Sequence, residues 1–159
     1  MKRHILTGAI ILMAAVAAVS AVKAVPAFAV DNIESTNAPD LTSVRAKIAA
    51  RDYQGALTEL RGLAEDTQQA DVYNLLGFAL RKTGDYRTSL TYYTKALELE
   101  PDHKAAREYL GELYVETGDM AKANEQLERL TKLCPNGCEE RDDLAKAIAE
   151  KVAMQKASN

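Results

Sequence analysis

Two stretches of this chain, YNLLGFALRKTGDY (73–86) and REYLGELYVETGDM (107–120), lie in phase at an interval of 34 residues. Leu76 and Leu110, Gly77 and Gly111, Thr83 and Thr117, Gly84 and Gly118, and Asp85 and Asp119 are each separated by that interval, and so are Pro101 and Pro135. A fixed period with its turn residues in register means stacked copies of one supersecondary unit, none of which buries its apolar face alone. Within a unit the apolar residues follow helical spacing, at Tyr73, Leu76, Gly77 and Leu80 in one segment and Leu90, Tyr93, Ala96 and Leu97 in the next. The TGD between them stops one helix and starts another, because Gly84 suits the left-handed residue that ends a helix and Asp85 caps the one that follows. Pro101 and Pro135 then close the second helices or open their successors.

The sequence predicts an all-α fold, with each unit a helix hairpin. The residues resemble the tetratricopeptide repeat, in which helix A carries a large residue, Leu, Gly and a large residue, and helix B a small residue, an aromatic, Ala and Pro. In the middle unit the matches are Tyr73, Leu76, Gly77, Leu80, Ser89, Tyr93, Ala96 and Pro101; in the next they are Leu110, Gly111, Tyr114, Ala123, Leu127 and Pro135, with Arg107 and Leu130 departing from the pattern. An earlier unit is degraded. Leu41, Val44 and Ile48 form its helix A, Asp52, Tyr53, Ala56, Leu60 and Leu63 its helix B, and Arg51 stands where the turn glycine belongs. After Cys138, Leu144, Ala145 and Ile148 continue the phase without a following helix B, as a capping helix does. The resemblance implies a TPR-like α-solenoid of about three helix hairpins (37–69, 70–103 and 104–137 within a domain at 41–157) and a C-terminal capping helix at 139–156. It also implies that Gly77 and Gly111 let helices A and B of their own units approach closely.

In arrays of this kind the A helices line the inner surface. The positions that usually point inward fall here on Asp71, Asn74, Phe78, Arg81 and Lys82, and then on Ala105, Glu108, Glu112, Val115 and Glu116. Glu108, Glu112 and Glu116, four apart, form an acidic ridge whose like charges repel by a few tenths of a kcal/mol per pair. Two readings stand: a solvated face, or a groove for a segment of another protein whose basic groups meet the ridge and whose apolar anchor meets Phe78. Phe78 itself reads either as an exposed hot spot or as a core ring. The family's clamp for a chaperone's terminal carboxylate needs Lys, Asn and Arg where this chain has Leu41, Leu75, Ala105 and Tyr109, so that mode is not expected.

Cys134 and Cys138, the only cysteines, straddle the turn between the last helix B and the cap. They read as a disulfide clip, as metal ligands joined by His103 and an acid such as Glu139, or as a redox pair. Against the last stands the C-x-x-x-C spacing without a βαβ pattern, and against metal the shortage of ligands. A clip across so short a loop is worth at most about 2 to 3 kcal/mol.

The first residues point to export. Lys2, Arg3 and His4 precede an apolar or small run from Ile5 to Val22, and Ala27 and Ala29 form a cleavage pattern, so residues 1–29 are expected to be a signal peptide and 30–40 a flexible linker. The alternative is a retained anchor, since the run has 18 residues and a span takes about 17 to 25. Cleavage would leave 17 basic against 23 acidic side chains, near −6, a balance that disfavours nucleic acid and anionic lipid as partners. No cofactor or catalytic residue is indicated, for the mature chain holds one histidine and no phosphate-binding glycine loop. The expected function is a periplasmic or secreted scaffold or adaptor, not membrane-embedded, that binds another protein or peptide of basic character. A thiol-redox or metal-handling protein is the rival, and self-association through open repeat ends the third reading.

Overall fold

The computed structural model describes residues 38–158, so the expected signal peptide and residues 30–37 of the expected linker lie outside the described residues. Among the described residues there are seven helices: α1 (Thr42–Ala49), α2 (Tyr53–Asp66), α3 (Ala70–Lys82), α4 (Tyr86–Leu99), α5 (Lys104–Thr117), α6 (Met120–Leu133) and α7 (Glu139–Ala157). Each hairpin packs its own pair together, each helix packs on the next, and α3 meets α5 and α5 meets α7 along the A-helix layer. This is the all-α solenoid that the period implies. No described helix is long and apolar enough to cross a membrane.

One local device makes all three hairpins. At the end of each A helix a residue with positive φ lets the following amide reach back to the last turn, and the residue carrying that amide then caps helix B. Thus Asp52, Asp85 and Asp119 donate their N–H to the carbonyls of Lys47, Leu80 and Tyr114 at 2.8, 2.9 and 2.9 Å. Their carboxylates accept from the amides of Gly55, Thr88 and Lys122. The left-handed residues are Gly84 and Gly118, with φ of 86° and 87°, and in the degraded first unit Arg51, at 61°. The turn there survives without glycine, at a cost of about 1 to 2 kcal/mol for the crowded Cβ.

Packing across the hairpin rests on a missing side chain. A Cβ placed on Gly77 would sit 2.6 Å from the Tyr93 ring, and the fully buried Ser89 hydroxyl donates to the Gly77 carbonyl at 2.7 Å, so α3 and α4 touch backbone to side chain. At Gly111 helices α5 and α6 also pack together, and the atoms nearest to an added Cβ are those of Leu144 of the cap α7, at 2.4 Å. Leu127 stands where the preceding unit has the broader Tyr93, while the cap lays the fully buried Leu144 against α5. The core runs through the stack from Leu41 and Val44 through Leu57, Leu60, Leu76 and Tyr93 to Leu113, Leu130 and Leu144.

Candidate functional site

Phe78 of α3 and Tyr109 of α5 meet on the A-helix layer and are backed by Tyr53 of α2 and the buried Tyr93 of α4. The ring centroids of Tyr53 and Phe78 are 6.4 Å apart, those of Phe78 and Tyr109 4.9 Å, and those of Tyr93 and Tyr109 6.5 Å. Beside these rings opens a cavity of about 220 Å³ lined by Arg45, Ile48 and Ala49 of α1, Leu75 and Phe78 of α3, and Tyr109 of α5. Phe78 is half-buried, supported by rings on two sides while it borders the opening. Of the lining residues, the groove positions read from sequence include only Phe78. Leu75 and Tyr109 had a signal nonetheless, for they occupy clamp positions filled with apolar side chains, and an apolar wall is what replaces the clamp.

Arg81 does not stand in the open groove. Its side chain is 1% exposed, with the guanidinium carbon 5.5 Å from the Phe78 centroid and 5.8 Å from that of Tyr109. It ends in two carboxylates of the next A helix, donating to Glu116 at 2.5 Å and to Glu112, and Nε also reaches the buried Tyr93 hydroxyl at 3.4 Å. Burial opposes its charge, but Tyr93, Glu112 and Glu116 outweigh that and raise its pKa above the ordinary arginine value. The geometry revises the acidic ridge: two of its three glutamates share one guanidinium, from a residue 31 and 35 positions earlier, which offsets one of their two charges.

Glu108, the third member, is 7% exposed. Burial, and after it the neighbouring carboxylates of Glu112, Asp143 and Glu140, push its pKa up to about 8, with Arg81 pulling the other way. At neutral pH it is mostly the uncharged acid, so it offers a basic partner little. Asn74 is likewise withdrawn, 3% exposed with its side-chain oxygen unpartnered among the described residues. Both point inward because consecutive A helices pack on each other across this layer. Asp71 and Lys82 do reach solvent. Asp71 contacts His103 at 3.1 Å and Arg45 at 4.0 Å, and Lys82 sets its ammonium 5.2 Å from the Phe78 centroid.

His103 does not join the cysteines. Its Nδ1 accepts the Ala106 amide at 3.2 Å, which caps α5, and so Nε2 carries the proton it donates to Asp71. Cys134 and Cys138 face each other across the α6–α7 turn with Cα atoms 5.8 Å apart, within the range that a disulfide spans. The acid within ligand reach of them is Glu140, not Glu139. Gly137, with φ of 99°, turns the loop, and its amide donates to the Cys134 carbonyl at 3.0 Å.

Residues 74–137 match the family described as Tetratricopeptide repeat. A probable biofilm formation methyltransferase, WspC of Pseudomonas putida, is 38% identical over 72 residues, which are 45% of this chain and 17% of that protein. The chain spans less than half the length of the curated relatives it matches. Among solved structures it resembles PcrH in complex with the chaperone binding region of PopD, with a TM-score of 0.60 at 16% identity over 74% of this chain and 89% of the other. It also resembles the Yersinia enterocolitica type III secretion chaperone SycD in complex with a peptide of the translocator YopD, with a TM-score of 0.60 at 16% identity over 73% and 88%.

Proposed function

We propose that this chain, a member of the tetratricopeptide repeat family, is a binding module that holds a segment of another protein along its A-helix face and acts as a scaffold or adaptor. The observation that carries this reading is the open apolar cavity built jointly by α1, α3 and α5. Three successive units contribute to it, so it exists only in the assembled stack, and it borders a half-buried phenylalanine supported by aromatic rings. Apolar pockets with an aromatic wall are where binding energy concentrates when a chain docks. The two neighbours above were each solved with a partner segment bound, which supports the same use of a similar fold here.

Within this reading the module works outside the cytoplasm after cleavage near Ala29, and Cys134 and Cys138 form a disulfide there that clips the cap to the last hairpin. The Cα separation of 5.8 Å across the turn is one that a disulfide spans, which supports a clip over ligand or redox duty.

The test places a photo-crosslinking amino acid at Ala49, on the cavity wall, and at Thr91, on an exposed face of α4. Cells producing either variant are irradiated. Adducts to a discrete protein from the Ala49 variant, absent from the Thr91 variant, are expected; equal adducts from both, or none from Ala49, would refute the groove. Amino-terminal sequencing of the mature protein checks export, and a start other than Val30 would count against the cleavage assigned.

A further inference from the structure

Past the cavity the A-helix face continues onto α5 and α7, where an acid is buried without a partner. Glu108 is 7% exposed and makes no hydrogen bond or ion pair among the described residues. Burying a carboxyl that nothing satisfies costs stability, and a local rule broken in this way marks functional sites. The charges that act on it are Glu112 of its own helix, Glu140 and Asp143 of α7, and Arg81 of α3, whose guanidinium Glu112 shares with Glu116. α4 and α6 meet α5 through Tyr93 against Tyr109 and Gln126 against Arg107. Five carboxyls therefore stand against one cation. Of the other bases on this face, Arg141 is taken by Asp142 and Arg45 by Asp71. Lys82 lies eight residues beyond Asn74, the α3 counterpart of Glu108, which is about 12 Å along the helix and outside the roughly 8 Å that charge reaches at about 0.15 M salt.

Among the described residues these carboxyls do not gather closely enough to hold one metal ion. A guanidinium, with N–H donors spread across its plane, can serve several carboxyls at once. Tyr109, next to Glu108 in the chain, lines the cavity, so one segment meets both. Adjacent A helices stand about 8 to 10 Å apart, which about three extended residues cover. We propose that the α5–α7 face receives an arginine or lysine of the partner segment, about three residues from the apolar side chain seated in the cavity, and that this cation displaces to solvent the proton held by Glu108. The proposal rests on the groove being a peptide site and deepens that reading. Without a partner Glu108 stays protonated by burial and its acidic neighbours; an opposite charge brought beside it favours the ionised form.

The probes are fluorescent peptides of about twelve residues, long enough to cross three A helices, each with one central Leu and, at that spacing on both sides, Arg, Gln or Glu. Binding to the full mature chain is read by anisotropy from about pH 6 to about pH 9, where arginine keeps its charge. At the acid end the Arg peptides should bind about three- to tenfold tighter than the Gln ones, on the carboxylates that are already ionised. Toward the alkaline end that gap should widen by about tenfold, as it does when the cation lowers a carboxyl pKa by about one unit. Glu108→Gln keeps the shape of the protonated acid and should abolish the widening. Glu98→Gln, the same charge change on an exposed part of α4, should not. Phe78→Ala should weaken every peptide by about tenfold or more. Gln or Glu peptides binding tightest, or a widening that survives Glu108→Gln or is lost equally in Glu98→Gln, would overturn the basic specificity and leave the groove standing. No binding by any peptide, or affinity untouched by Phe78→Ala, would overturn the groove as well. A dimer seen by sedimentation that Phe78→Ala dissociates, with no peptide bound, would assign the face to a second copy and overturn the proposal.

Discussion

The buried carboxyl of Glu108 makes the stability of this array fall as pH rises, and Glu108→Gln should remove that dependence. The folded pKa is raised from the usual 4.5 to about 8, so between those values the folded state binds a proton that the unfolded state has released. The slope of stability against pH is then negative through this window and flat beyond it. Taken in full, such a shift corresponds to about 5 kcal/mol; because the carboxyl can relax toward water beside Glu140 and Asp143, we expect roughly 2 kcal/mol of it to be realised. For a domain of this size that is a fall of roughly 6 to 10 °C in melting temperature. The assay is thermal unfolding by far-ultraviolet dichroism from about pH 5 to about pH 9. Glutamine keeps the shape of the protonated acid, so the variant should match the parent near the acid end and exceed it at the alkaline end. The capping carboxylates Asp85 and Asp119 do not confuse the result. Hydrogen bonds hold their pKa values below the ordinary range, so their contribution is lost only in stronger acid. Parallel pH profiles for parent and variant would refute the argument, because they would mean that Glu108 is ionised and solvated in the folded state.

Other perturbations test the packing. Gly77→Ala should cost about 1 to 3 kcal/mol by overpacking, measured by urea unfolding. Gly111→Ala should cost less, because Leu144 can rotate its methyl groups whereas Tyr93 is held by Arg81. Arg81→Met should lower stability by about 1 to 3 kcal/mol, below the full penalty of a broken buried pair, since Glu112 and Glu116 can rehydrate; an unchanged chemical-denaturation midpoint would refute the role assigned to it. Replacing both cysteines with Ser should cost about 2 kcal/mol in melting experiments and leave peptide affinity unchanged. A loss of binding in that variant would tie the cap to the groove.

The period of 34 and the residues inside it determined the architecture, because hairpin formation here is local. Gly84 and Gly118 supply the left-handed turns, Asp52, Asp85 and Asp119 the caps, and the apolar spacing the faces that stack. Each of these depends on neighbours within about one helical turn and is therefore written in the order of residues. The groove was legible only as a list of positions. Which of them reach solvent depends on how one A helix leans on the next, and this contact across tens of residues buried Asn74, Arg81 and Glu108 while leaving Asp71 and Lys82 outside. Three glutamates four apart read as a charged ridge because spacing records proximity along a helix. Only the tertiary structure supplies the cation from another repeat that Glu112 and Glu116 share, and only the meeting of α1, α3 and α5 creates the cavity. Electrostatics and shape are sums over neighbours in space, and for this chain those neighbours come from different repeats.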